Sequence, residues 1–156
     1  MQSSSITKEY YSYENCIEDC KILIPKIREY NPDALVSIAR GGLVLGHLLS
    51  EALDTREIFS LNSIHYDGMR KLDTFEIFNI PDLSRKHKIV LIDDIVDSGE
   101  SMVEILRILK DKYPHCEFKI ATVFYKPTAL LQPDFTVKEA KNWIEFFWEI
   151  DLLEKK

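Results

Sequence analysis

Residues 88–101 constrain the chain more than any other stretch, because an apolar run of strand length ends abruptly in acids. Ile89, Val90, Leu91 and Ile92 form a short, β-branched run, the pattern of a strand covered on both faces of a parallel sheet. Asp93 and Asp94 follow at its carboxyl end, where open α/β sheets place their ligands. Two adjacent carboxylates are costly to desolvate unless a cation or hydroxyl donors meet them, so the pair suits a vicinal diol or a hard divalent ion. The turn Asp97-Ser98-Gly99-Glu100-Ser101 leads into residues 102–112, whose apolar positions Val103, Ile105, Leu106 and Leu109 recur at helical spacing. Such a turn at a helix start aims free backbone N–H groups at an anion, and Gly99 lets the backbone approach it closely. The plainer reading makes the three aspartates solvated loop acids and Ser101 a helix cap. Capping, however, needs one polar residue rather than three acids behind an apolar strand.

Around this unit the patterning alternates. After a short N-terminal tail, residues 13–30 read as a helix with Ile17, Cys20, Leu23, Ile24 and Ile27 inward, bent or interrupted at Pro25 and ended by Asn31-Pro32. A strand is expected over 34–38, a helix over 43–53 and a second strand region over 56–64. A polar excursion over 66–80 carries a small strand at 74–78. The strand 88–92, the helix from Met102 and a strand over 118–125 complete a β-α-β-β-α-β order. That alternation predicts an α/β fold with a mostly parallel central sheet flanked by helices. With 156 residues and 46% apolar composition, the expectation is one core and one domain over 1–156.

Composition removes several function classes. The formal net charge of −6 argues against a nucleic-acid surface, which needs a basic patch to displace counterions. Cys16, Cys20 and Cys116 are odd in number and form no Cys-x-x-Cys pair, so neither a disulfide framework nor a four-ligand zinc site is supported. Cys16 and Cys20 are expected on the inner face of the first helix. His47, His65, His87 and His115 are scattered without ligand spacing and read as structural. Neither Gly-x-Gly-x-x-Gly nor Gly-x-x-x-x-Gly-Lys occurs. No apolar run has membrane-spanning length and Met1-Gln2-Ser3-Ser4-Ser5 is unlike a signal peptide, so a cytoplasmic protein is expected.

Two of the five glycines are consecutive, at Gly41-Gly42, directly after the strand 34–38 and Ala39-Arg40. A strand, then Ala-Arg-Gly-Gly, then an apolar helix again presents backbone donors at a strand end, here with a guanidinium that can fork onto phosphate oxygens. Read alone, the pair could equally be a tight steric turn. Later, Lys126-Pro127 follows an apolar strand, and Trp143-Ile144-Glu145-Phe146-Phe147-Trp148-Glu149 lies near the C-terminus. A lysine at a strand end can donate to an exocyclic carbonyl, and a tryptophan can stack on a flat heterocycle. Phe146 and Phe147 read as core packing.

Residues 89–101 resemble the phosphoribosyl pyrophosphate (PRPP) signature of the type I phosphoribosyltransferases. The C-terminal motifs are most similar to those of the xanthine-guanine branch, and the similarity runs from about residue 34 to residue 149. The resemblance implies the type I phosphoribosyltransferase fold, with a core of about 31–126, a small C-terminal hood at 127–150 and a flexible lid loop. It implies a glycosyltransferase of the pentosyltransferase type, moving the 5-phosphoribosyl group of PRPP to N9 of a 6-oxopurine with release of pyrophosphate, in purine salvage. Asp93 and Asp94 would serve the ribose hydroxyls and Mg²⁺, with Asp94 the metal-associated residue. Asp97, Ser98, Gly99, Glu100 and Ser101 would hold the 5′-phosphate, Glu100 through its N–H alone.

Arg40 and Gly41 match the pyrophosphate loop, where an unusual backbone at Ala39-Arg40 is expected. Arg70, with Lys71 beside it, matches the pyrophosphate arginine of the lid, although Ser63-Ile64-His65-Tyr66 stands where many relatives carry a Ser-Tyr pair. Lys126 would face purine O6, Trp143 would stack, and the backbone around Trp143 and Ile144 would accept from a 2-amino group. Asp97 would bond N7 and act as general acid/base. The expected partners are Mg·PRPP, a 6-oxopurine, the nucleoside monophosphate product and further copies of the chain, with no nucleic acid. The alternatives are a PRPP- or nucleotide-binding regulator that keeps the fold without the chemistry, and a transferase for another base.

Overall fold

The computed structural model describes residues 5–66 and 74–153. In chain order the elements are β1 (Lys8–Tyr11), α1 (Tyr13–Tyr30), β2 (Ala34–Ala39), α2 (Leu43–Ala52), β3 (Ile58–Tyr66), β4 (Thr74–Phe78), β5 (Lys88–Ile92), β6 (Ile95–Val96), α3 (Glu100–Lys112), β7 (Glu117–Ala121), β8 (Phe124–Tyr125), β9 (Lys138–Glu139), β10 (Trp143–Phe146) and α4 (Phe147–Ile150). Five strands form the central sheet in the order β4-β3-β2-β5-β7. Every pair is parallel except β3 with β4, so the expected α/β architecture is present.

The two-residue period of the strands explains the layering. Leu35, Val90 and Ile92 point to one face and pack with Cys16, Cys20, Leu23 and Ile27 of α1 and Leu45 and Leu49 of α2. The alternate positions Val36, Ile38, Ile89 and Leu91 point to the other face and pack with Met102, Ile105 and Leu109 of α3. Each such fully buried side chain contributes about 1.5–3 kcal/mol relative to exposure. Cys16 and Cys20 share the inner face of α1 as expected, and all three cysteines are free thiols.

Helix α1 starts where Ser12 accepts from the Asn15 N–H at 3.0 Å and ends with Asn31 in the left-handed region, φ 57°. It continues through Pro25, so of the bend or interruption expected there the interruption does not occur. Pro25 lies on the exposed face, as does Lys21 one turn earlier, so the carbonyl that loses its donor there can be hydrated.

Three expectations are corrected. The N-terminal residues are not only a tail: β1 pairs in parallel with β10, Lys8 opposite Trp143 and Tyr11 opposite Phe146. The apolar run 118–125 is two strands. After Ala121 the chain leaves the central sheet, because the Val123 and Phe124 N–H groups donate to the Asp94 carbonyl at 3.2 and 3.1 Å and Thr122 N–H donates to Phe135. Phe124–Tyr125 then joins a separate parallel sheet, β6-β8-β9. Helix α3 begins at Glu100, before Met102, and its cap is Gly99 at φ 83° with no side-chain capping bond. Ser101 is therefore within the first turn.

Candidate active site

The register of the sheet brings the two glycine-bearing motifs together. Because β2 and β5 are neighbours, with Ala34 opposite Ile89 and Ser37 opposite Ile92, their carboxyl ends open side by side. The Ala39–Arg40 peptide is cis, which matches the unusual backbone expected there. Past it, the Gly42 N–H donates to the Ile38 carbonyl at 2.8 Å. A Cβ on Gly41 would lie 2.6 Å from Asp94 Oδ2, and one on Gly42 would lie 2.2 Å from the Ile92 carbonyl oxygen. Both positions therefore need glycine for room: the loop lies directly on the Asp94 carboxyl and the end of β5.

Arg40, Gly41, Asp93, Asp94 and Ser101 line one cavity of about 700 Å³. Its carboxylates are crowded. Burial pushes the Asp93 carboxyl well above the usual range, and the charge of Asp94 and a hydrogen bond to it push the same way. Burial also raises Asp94, against hydrogen bonds that favour its ionised form. One of these comes from the Ile95 N–H at 2.8 Å, while the Asp94 N–H donates to Asp93 Oδ1 at 2.9 Å. The two acids resist ionising together.

Sequence reasoning placed Trp148 and Glu149 in the C-terminal hood motif but not in this cavity, whose wall they share with Ser63 and His65. The Glu149 carboxyl is raised by burial and then by the charge of Asp94, with Arg40 pulling the other way. The Trp148 indole nitrogen is buried with no hydrogen-bond partner among the described residues. The only local signal for this pair was the acid placed directly after the second tryptophan.

The turn after β6 carries the second group of expected residues. Glu100 N–H donates to Ser98 Oγ at 3.3 Å, and Gly99 provides the positive φ from which α3 starts. Asp97 makes an ion pair across to Lys126, Nζ to Oδ1 2.8 Å. Both residues stand out in the sequence; their direct pairing does not. The backbone holds them in register, since Lys126 N–H donates to the Val96 carbonyl at 3.0 Å and Leu130 N–H to the Ser98 carbonyl at 2.8 Å. Gln132 Nε2 donates to the Lys126 carbonyl at 3.0 Å.

Lys126 and Trp143 line a second, more open cavity of about 320 Å³. Trp143 is 59% exposed there, whereas Ile144 next to it is 7% exposed. The Ile144 side chain is thus a core residue, and any part it takes in a site is through its backbone. Arg70 and Lys71 lie outside the described residues. Among the described residues no cluster of three or more His, Cys, Asp or Glu side chains is arranged to hold a metal ion. None of their helices is long and apolar enough to cross a membrane.

Comparison with known proteins agrees with this geometry. The chain is 39% identical, with a TM-score of 0.87, to the xanthine-guanine-hypoxanthine phosphoribosyltransferase of Helicobacter pylori, over 94% of this chain and 96% of that one. It is 30% identical, with a TM-score of 0.81, to a purine phosphoribosyltransferase from Pyrococcus horikoshii, over 96% of this chain and 99% of that one. A xanthine-guanine phosphoribosyltransferase of Cereibacter sphaeroides is 30% identical over 92% of this chain and 87% of its own length. Residues 7–155 match the family model described as a phosphoribosyl transferase domain. The match takes in the first cavity, all of the second but Ile6, and the strands that carry them, and on that basis the chain belongs to the phosphoribosyltransferase family.

Proposed function

We propose that the protein transfers the 5-phosphoribosyl group of PRPP to N9 of a 6-oxopurine, guanine, xanthine or hypoxanthine, and releases pyrophosphate, as a purine salvage enzyme. The observation that carries the reading is the Lys126–Asp97 pair, 2.8 Å apart, with Lys126 and Trp143 on one cavity. A 6-oxopurine protonated at N7 presents an acceptor, O6, beside a donor, N7–H. Lys126 offers a donor and Asp97 an acceptor, so the base can replace the ion pair with two complementary hydrogen bonds. Adenine would turn its amino group toward the Lys126 ammonium, a donor against a donor. The Helicobacter pylori and Cereibacter sphaeroides relatives, named as xanthine-guanine-hypoxanthine and xanthine-guanine phosphoribosyltransferases, support the same choice.

In this reading Trp143 stacks on the base, with the backbone at Trp143 and Ile144 at its 2-position. N9 forms its bond to C1′ as the bond from C1′ to the pyrophosphate oxygen breaks, with inversion. Asp97 takes the N7 proton as the base becomes the nucleotide. Backbone N–H groups of Ser98, Gly99, Glu100 and Ser101 hold the 5′-phosphate, and Asp93 and Asp94 take the ribose hydroxyls. Arg40, the Gly41 backbone and Arg70 take the pyrophosphate, where fixed positive charge stabilises the departing group.

Mg²⁺ fits the donor set, because Asp94 is buried and Asp93 half-buried beside it, and burial raises both carboxyls, so a cation would favour their ionised forms. A pair of carboxylates completed by substrate oxygens is a normal way to hold it. Asp94, with Asp93, would hold Mg²⁺ together with PRPP, and the ion would supply charge neutralisation on pyrophosphate. The reading includes one domain over 1–156 with 127–150 as the hood over the base, a cytoplasmic location and a homo-oligomer. The test is nucleotide and pyrophosphate formation from Mg·PRPP with guanine, xanthine, hypoxanthine, adenine and orotate in parallel. Product from the 6-oxopurines alone is expected. Product from adenine or orotate, or none from any base while PRPP still binds, would overturn the assignment.

A further inference from the structure

We propose that the segment leading into β1 is part of the base site: Ile6 supplies apolar surface to the bound purine, and the Thr7 carbonyl positions Trp143. The inference rests on the base occupying the cavity of Lys126 and Trp143. That cavity is lined by Ile6 and Thr7 as well as by Lys126, Asn142 and Trp143. Ile6 is 72% exposed and Trp143 59%, so two large apolar side chains stand uncovered on one open cavity beside a cation. A flat heterocycle with one carbonyl edge is a ligand of matching chemistry, apolar on its faces and an acceptor toward the lysine.

The segment and β1 are held in place by contacts along their length. Trp143 N–H donates to the Thr7 carbonyl at 2.9 Å, and β1 then runs alongside β10 from Lys8 to Tyr11. Lys8 Nζ lies 3.6 Å from Glu145 Oε1, and the Tyr10 hydroxyl donates to the Asp151 carboxylate at 2.9 Å. The Trp143 backbone is therefore held by the backbone of Thr7 and Lys8, and its indole is presented from a paired strand. This is a reason for the first strand to exist, since it joins neither the central sheet nor the β6-β8-β9 sheet.

The experiment compares steady-state kinetics of Ile6→Ala, Ile6→Asp and Tyr10→Phe with the parent, varying guanine and Mg·PRPP separately. Tyr10→Phe removes a tether of β1 without touching the cavity. The expected result is a three- to tenfold rise in KM for guanine in Ile6→Ala and a larger rise in Ile6→Asp. Turnover should change less than twofold, the KM for PRPP should stay constant, and Tyr10→Phe should behave as the parent. Thermal unfolding confirms that each variant is folded, which the exposure of Ile6 predicts. An active parent with unchanged guanine KM in both Ile6 variants overturns the inference and leaves the proposed reaction standing. An equal rise in Tyr10→Phe overturns the direct contact assigned to Ile6, because bracing alone would then account for the effect. An inactive parent overturns the reaction itself.

Discussion

Replacing Asp93 by Asn should make the ligand-free protein more stable while abolishing efficient turnover. In the folded chain Asp93 lies beside Asp94 at the end of β5, raised by burial, by the charge of Asp94 and by a hydrogen bond to it. Adjacent like charges in a medium of effective dielectric about 20 repel by about 3–4 kcal/mol if both are ionised. Any proton that the raised carboxyl keeps reduces the repulsion. Asn keeps an oxygen to accept from the Asp94 N–H, the bond that Asp93 Oδ1 now accepts at 2.9 Å. That bond loses its charge assistance, a loss of about 1 kcal/mol. The net gain is about 1–2 kcal/mol, or roughly 2–8 °C in melting temperature for a chain of this size.

The pH dependence gives this prediction its sign. A carboxyl whose folded pKa is raised binds more protons folded than unfolded between its two pKa values, so stability falls as pH rises through that window. The window opens near the unfolded carboxylate value of about 4 and extends upward to the raised value. Below it the Asp93 carboxyl is as neutral as the amide that replaces it, and the two proteins should melt alike; toward neutral pH the gap should open in favour of Asp93→Asn. Thermal unfolding from pH 4 to pH 8 without ligand measures it. A variant less stable than the parent at pH 8, or a gap that does not depend on pH, would refute the electrostatic account. Mg·PRPP should then raise the parent's melting temperature more than the variant's, since the variant has less charge for the complex to relieve.

Asp97→Asn should lower turnover by about 10²-fold or more, the usual range for loss of a general acid/base, with the KM for PRPP nearly constant; steady-state kinetics on both substrates checks the split. Lys126→Met should destabilise the fold by less than about 1 kcal/mol, because its ion pair with Asp97 is partly solvated. The same change should raise the KM for a 6-oxopurine at least tenfold, so denaturant unfolding and kinetics should disagree about the importance of this residue. Gly42→Ala should fail on stability, by several kcal/mol in urea unfolding, because the added Cβ falls 2.2 Å from a backbone carbonyl that cannot swing away.

The strand-turn-helix unit at 88–101 was legible because its signals are local. A β-branched run, an acid pair and a glycine turn each state a backbone or solvation requirement within a few residues. The Gly41-Gly42 loop was legible for the same reason. What the sequence hid was long-range. The four residues of β1 carry no pattern that announces a partner at Trp143–Phe146, and β1 looked like a tail. The apolar run 118–125 gave no sign of the break after Ala121, which comes from Asp94 offering its carbonyl to Val123 and Phe124. Glu149 reaches the Asp94 cavity only because α4 returns the chain there, and the Lys126–Asp97 contact depends on β6 lying next to β8.

Because two crowded acids at the end of β5 oppose each other's ionisation, contacts elsewhere have to hold the fold around them. A buried polar cross-link is well placed to do so. Asp19 of α1 accepts from the Tyr11 hydroxyl at 2.7 Å and pairs with Lys138 Nζ at 3.0 Å. Burial and the bond to Asp19 together push the Tyr11 hydroxyl far above its ordinary pKa, so it stays a neutral donor. Lys138 also lies over the rings of Tyr11 and Phe124. One carboxylate thereby joins β1, α1 and β9, three elements that no single sheet connects. Removing one partner of such a cluster strands the others in a low-dielectric interior. The acids are thus divided by environment: Asp19 has its cation and hydroxyl within the fold, whereas Asp93 and Asp94 sit where a bound cation can supply theirs.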